Sequence, residues 1–165
     1  MQKSVLGREG DYTIRYAEAS DVPAVIKVNA ATLPEHYSDY FYYEILNEFP
    51  NTFIVAELSG EVVSYVMCRT EYGLSVLKRF GIARKGHIIS IATLETHRRK
   101  GVGSTLIRKA MDEMRGASCK EVFLEVRITN DEAVGLYRRL GFQVTGTMQG
   151  YYKDGESAYL MAQQL

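Results

Sequence analysis

Residues 87–115 restrict this chain more than any other stretch. The apolar run His-Ile-Ile-Ser-Ile-Ala-Thr-Leu over 87–94 predicts a strand, and the polar turn 95–100 follows it. Val102, Leu106, Ala110 and Met114 then recur at four-residue steps, which predicts a helix over 101–115 with one apolar stripe. Inside the turn, Arg98, Arg99 and Lys100 lead into Gly101-Val102-Gly103. The amides that open a helix have no partners within it, and the helix dipole places partial positive charge there. Glycines let an anion approach that backbone, and three cations attract it, so the segment suits a pyrophosphate. Neither common nucleotide motif is present. No GxxxxGK[ST] string occurs, and Leu106 stands where GxGxxG needs its last glycine. Spacing alone fits a solvated basic turn before an ordinary helix equally well.

The remaining elements follow from local signals. Residues 12–17 read as a strand. Ser20 and Asp21 offer capping oxygens and Pro23 suits a first helical turn, so a helix should carry Val22, Val25, Ile26 and Val28 to about Ala31. A second helix is expected over 37–49, stopped by Pro50. Residues 52–58 and 61–70 are β-rich and joined at Ser59-Gly60, a hairpin signal. Residues 73–85 read as a loop. In 121–128 the even positions Val122, Leu124, Val126 and Ile128 are apolar, which leaves Phe123, Glu125 and Arg127 on the other face of a strand. Asn130 is a candidate N-cap for a helix to Leu140, with Gly141 just past its end. Strands over 142–148 and 151–162 complete an α/β chain whose central mixed, twisted sheet has about seven strands, with about four helices.

A length of 165 residues suits one domain spanning 1–165, and no repeat or linker divides it. Twenty basic residues balance twenty acidic ones, which argues against electrostatic binding to nucleic acid or a membrane. Cys68 and Cys119 form no CxxC, and no His/Cys/Asp/Glu cluster has metal spacing, so no metal is expected. Residues 1–11 are polar and lack the apolar core of a signal peptide, and no apolar run reaches membrane-spanning length. A cytoplasmic protein is the expectation.

Arg98-x-x-Gly101-x-Gly103 resembles the (Q/R)-x-x-G-x-(G/A) coenzyme A motif of GNAT acetyltransferases, in that family's strand–turn–helix setting. Asn130 through Tyr137, then Leu140-Gly141-Phe142, resemble the family's N-x-x-A-x-x-x-Y…GF segment. The resemblance implies a GNAT fold and acetyl-CoA as co-substrate. It places the cofactor against Ile91, Ala92, Thr93 and Leu94, against Arg98, Arg99, Lys100, Gly101, Val102, Gly103 and Ser104, and against Asn130 and Tyr137. In the family the strand before the turn splays from its neighbour to receive the pantetheine arm.

Two further segments resemble subfamilies that act on protein N-termini. Leu33-Pro34-Glu35-His36-Tyr37 is similar to the LPE-x-Y loop of NatA-type catalytic subunits, and Tyr151-Tyr152-Lys153-Asp154-Gly155-Glu156 to their YY-x-DGE hairpin. Leu124-Glu125-Val126-Arg127 resembles the RimI ribosomal-protein acetyltransferases; NatA-type enzymes often carry histidine where Glu125 stands. Archaeal members combine both patterns. Leu33, Pro34, Glu35, Tyr37, Ile89, Tyr151 and Tyr152 are then implied at the substrate. The resemblance implies Glu125 as the base and Tyr137 as the acid; Glu35 is read as assisting deprotonation and His87 as a candidate proton relay.

Each of these residues also has an ordinary structural role open to it. Glu35 sits where an acid complements a helix start, Glu125 can pair with Arg127 or another base, and Tyr137 and His87 can be packing residues. Tyr151 and Tyr152, in a strand, would point to opposite faces. His36 and His97 look like surface residues. The chemistry favours an N-terminus, because deprotonating an α-amine at neutral pH costs about 1 kcal/mol and a lysine more than about 4 kcal/mol. The implied partners are protein or peptide N-termini, with ribosome proximity or an auxiliary subunit left open. A GNAT enzyme for lysine or a small amine, and a non-catalytic acyl-CoA sensor, are the rival readings.

Overall fold

The computed structural model describes residues 4–165; Met1, Gln2 and Lys3, part of the polar start, lie outside the described residues. In chain order the elements are β1 (Val5–Glu9), β2 (Tyr12–Tyr16), α1 (Val22–Thr32), α2 (Asp39–Glu48), β3 (Phe53–Leu58), β4 (Glu61–Leu74), β5 (Ile82–Thr93), α3 (Val102–Gly116), β6 (Glu121–Arg127), α4 (Asp131–Arg139), β7 (Gln143–Met148) and β8 (Ala158–Gln164). The strands form one mixed sheet in the order β1-β2-β3-β4-β5-β6-β8-β7. It has eight strands rather than about seven, because β1 was not anticipated. Val5 and Leu6 are its only large apolar residues, and an edge strand needs no buried alternation.

Contacts group the residues into two units. The first holds the chain up to Arg69 together with Ser90–Glu113. In it β1, β2, β3 and the start of β4 pair antiparallel in succession. Ser59 (φ 51°) and Gly60 (φ 83°) make the expected hairpin turn, whose left-handed backbone suits glycine. Ile14, Phe53, Ile54, Val55, Val66 and Met67 are fully buried.

Among them lies a charge. Arg15, 1% exposed, donates to both Asp21 oxygens at 2.7 and 2.9 Å and to Glu57 Oε2 at 3.0 and 2.9 Å. This contact corrects the expected role of Asp21. Its side chain does not cap α1; it accepts from Arg15 and from the Glu18 amide at 2.8 Å. Ser20 gives no side-chain cap either, and Pro23 does fall in the first turn of α1. Ser38 caps α2 by accepting from the Phe41 amide, so that helix starts later than expected.

The second unit holds Thr70–Ile89 and Met114–Leu165. β5 pairs parallel with β6 from Lys85↔Glu121 to His87↔Phe123, and β8 lies antiparallel between β6 and β7. Val122, Leu124 and Val126 are buried as expected, but so are Glu121 and Phe123, so β6 is covered on both faces. The supposed loop over 73–85 is strand at both ends: β4 runs to Leu74 and β5 begins at Ile82, so the connection is confined to 75–81. Tyr72, Leu74 and Ile82 are strand residues whose side chains stay exposed, so burial gave the sequence no periodic signal there. The Glu121 carboxylate accepts from the Ser75 hydroxyl and from the Val76 amide, which fixes the short connection. Asn130 caps α4 by accepting from the Ala133 amide at 3.2 Å, and Gly141 takes φ 100° beyond it, both as expected. The last strand is shorter than expected, and Tyr151 and Tyr152 lie in the turn before it.

Asp21→Ala leaves a buried guanidinium with one carboxylate partner instead of two. We expect a loss of about 3 kcal/mol, the low end for breaking a buried ion pair because Glu57 remains. Thermal or urea unfolding measures it.

Candidate active site

In the first unit, Gly101 accepts the first helical hydrogen bond of α3, from the Thr105 amide at 3.0 Å. The amides of Val102, Gly103 and Ser104 therefore precede the helical ladder. Arg99 (φ 60°) and Gly101 (φ 79°) adopt left-handed backbone, and Arg98, Arg99 and Lys100 are exposed. Arg98 Nε donates to the Thr93 carbonyl at 3.1 Å, which ties the turn to the end of β5. Ser64 Oγ donates to the Ala92 carbonyl at 2.9 Å, and the Leu94 amide donates to Val63 at 2.9 Å. The turn fits a diphosphate: a glycine where a side chain is least tolerated, opening amides, and three cations.

One neighbour of the turn was missed. Glu9 of β1 accepts from Thr105 Oγ1 at 3.0 Å, and a Cβ on Gly101 would stand 2.9 Å from Glu9 Oε1. No motif includes Glu9, and only the unanticipated strand brings it here.

The loop over 33–37 is held by Asn29, which is buried at the end of α1. Asn29 Nδ2 donates to the Glu35 carbonyl and to the Tyr65 hydroxyl, both at 3.1 Å, and Asn29 Oδ1 meets His36 Nδ1 at 2.9 Å. Tyr65 in turn meets the Ser90 hydroxyl at 2.7 Å. Leu33, Pro34, Glu35 and Tyr37 therefore stand on an anchored loop. His36 is exposed yet bonded. His97 is half-buried, 2.8 Å from the Tyr12 hydroxyl and edge-on to its ring, so it is no simple surface residue.

In the second unit, His87 Nε2 lies 2.8 Å from Glu125 Oε2, and the imidazole stacks on Phe123 with centroids 4.4 Å apart. Nδ1 is buried with no hydrogen-bond partner among the described residues. Of the two readings open for His87, packing and proton relay, the geometry permits both at once. The Glu125 contact is with His87, while Arg127 Nη1 donates to Asp154 Oδ2 at 2.8 Å. Tyr137 packs against Phe142, and burial pushes its phenol up to about 12. Tyr151 and Tyr152 meet edge to face at 5.0 Å. Because they lie in a turn, strand alternation does not separate them.

Residues 22–142 match the model of the acetyltransferase (GNAT) family. The chain belongs to the GNAT acetyltransferases. It is 46% identical over 157 residues to an N-alpha-acetyltransferase of Sulfurisphaera tokodaii, covering 94% of each chain. Among solved structures it resembles Ard1 from Thermoplasma volcanium, with a TM-score of 0.83, 30% identity, and 94% and 98% of the two chains covered. It also resembles Chaetomium thermophilum Naa20 in complex with a bisubstrate analogue, with a TM-score of 0.82, 28% identity, and 93% and 86% covered.

As a GNAT acetyltransferase, the chain shows a parallel β5–β6 pairing that ends at His87↔Phe123, while the strands continue to Thr93 and Arg127. Asn130, assigned by resemblance to the cofactor, spends its side-chain oxygen on capping α4. Gly101→Ala would force an alanine into φ 79° against Glu9. We expect coenzyme A to bind about tenfold more weakly and stability to fall by about 1 kcal/mol. Calorimetric titration beside a melting curve separates the two effects, and unchanged affinity in the folded variant would remove this turn from the binding site.

Proposed function

We propose that the chain is an N-alpha-acetyltransferase that moves the acetyl group of acetyl-CoA to the α-amino group of protein N-termini, in the cytoplasm and with relaxed sequence preference. The observation that carries this is 46% identity along 94% of both chains to a protein named N-alpha-acetyltransferase. The bisubstrate analogue bound by the Naa20 relative supports the same class of reaction.

Acetyl-CoA supplies an activated thioester, and residues 98–104 hold its diphosphate. Strand residues 91–94 carry the pantetheine arm. The loop over 33–37, Ile89 and the Tyr151–Tyr152 turn hold the peptide, largely through its backbone, which tolerates varied side chains. Glu125 accepts a proton from the amine, directly or through water, with one oxygen already occupied by His87. Glu35 shares this task from the anchored loop. Because an α-amine with a pKa of about 8 is already about one-tenth neutral at pH 7, a modest base suffices.

Tyr137 acts on the departing sulfur. A thiol titrates near 8.5, so full proton transfer from a phenol held at about 12 is disfavoured by more than roughly a thousandfold. Tyr137 therefore donates a hydrogen bond and keeps its proton, and the sulfur collects one from solvent.

Two outcomes test this. A peptide with a free N-terminus should be acetylated, and its N-blocked, lysine-bearing counterpart should not; acetylation of the blocked peptide replaces this reading with lysine transfer. Glu125→Gln should lower kcat by about a hundredfold with acetyl-CoA affinity unchanged, and Glu35→Gln should lower it further. Tyr137→Phe should lower kcat by about tenfold without changing the shape of the pH profile, because the phenol does not ionise until about 12. A profile that loses an alkaline limb in this variant would contradict the hydrogen-bonding role.

A further inference from the structure

We propose that Arg127 is a positioning residue that sets Tyr152 for its contact with the peptide backbone. The proposal rests on the Tyr151–Tyr152 turn being part of the peptide site. Arg127 stands on β6 two residues beyond Glu125, so it shares that residue's face. Its guanidinium goes to the turn instead. Nη1 donates to Asp154 Oδ2 at 2.8 Å and lies 3.5 Å from Glu156 Oε1, and Cζ sits 4.1 Å from the centre of the Tyr152 ring.

The turn is closed around that cation. Thr129 Oγ1 donates to both Glu156 oxygens, at 2.8 and 2.9 Å, and the Glu156 amide donates to Asp154 Oδ1 at 3.0 Å. The Tyr152 amide donates to the Glu156 carbonyl at 3.0 Å, and the Gly155 amide to the Tyr152 carbonyl at 2.9 Å. The two carboxylates therefore fix the guanidinium plane, and that plane fixes the ring. Tyr151, edge-on to Tyr152, takes its direction from the same ring. A planar cation can satisfy a carboxylate and cover an aromatic face together, and a lysine ammonium cannot match both. The strand that carries the base thus also orients the turn that holds the substrate.

The test is a double-mutant cycle in the full chain with a free N-terminal peptide. Arg127→Ala should raise the peptide KM about tenfold and Arg127→Lys about threefold. The acetyl-CoA KM and the pH profile of kcat should not move, whereas a residue acting on the charge of Glu125 would shift that profile. Tyr152→Ala should raise the peptide KM, and adding Arg127→Ala to it should change nothing more. Effects that multiply in the double variant, or a shifted pH profile, would overturn the proposal. If Tyr152→Ala raises the KM and Arg127→Ala does not, only the role of Arg127 falls; if Tyr152→Ala is silent, the turn leaves the peptide site and the proposal goes with it. Should Arg127→Ala fail to fold, the cycle runs with Arg127→Lys, with a melting curve recorded for each variant.

Discussion

The parallel pairing of β5 with β6 sets the geometry of the second unit, and its register matters more than its extent. His87 stands opposite Phe123, which lets the imidazole lie flat on the ring while Nε2 reaches Glu125 two residues further along β6. A shift of one residue would turn every one of these side chains to the opposite face. Gly86, one position earlier, belongs to the same constraint. A Cβ there would overlap the Met114 side chain, so only glycine lets α3 lie this close to the strand. The His87–Glu125 contact is thus a product of packing before it is a product of chemistry.

Polar groups in the first unit follow a comparable logic. Arg15, Asn29, Tyr65 and Ser90 are buried, and each has specific partners. Burying them without partners would cost several kcal/mol, so each network admits few alternative arrangements. Asn29 is the instructive member, because one amide joins α1, the loop over 33–37 and β4. The loop owes its shape to that amide, which explains how a segment with little regular structure can be held in place.

Much of this was legible in the sequence wherever a residue has one good use. Ser59-Gly60, Asn130 and Gly141 are local signals, and each performs the expected task. The turn before α3 was readable in the same way, and Gly101 takes the left-handed backbone a glycine there allows. The misses share a different cause. β1 is an edge strand without alternation, so Glu9 and its contact with Thr105 were invisible. Asp21 looked like a cap because its partner, Arg15, is a tertiary neighbour on another element. Tyr151 and Tyr152 read as part of a strand that begins only at Ala158, since the five polar or small residues 153–157 hide the turn. From the sequence Arg127 has Glu125 as its obvious neighbour on the strand face, and its partners in the turn lie 25 or more residues away.

The route of the acetyl group follows from what the buried thiols can do. Cys68 is completely buried and burial drives its thiol well above the ordinary range; Cys119 is pushed the same way, with Arg84 opposing. The nucleophile in thiol chemistry is the thiolate, so both cysteines are poor acceptors of an acetyl group. A neutral amine, by contrast, needs only one proton removed, and a carboxylate can remove it. Under the proposed mechanism, direct transfer asks only Glu125 to take up a proton, with no covalent acetyl-enzyme to form or break. That economy favours one chemical step over two.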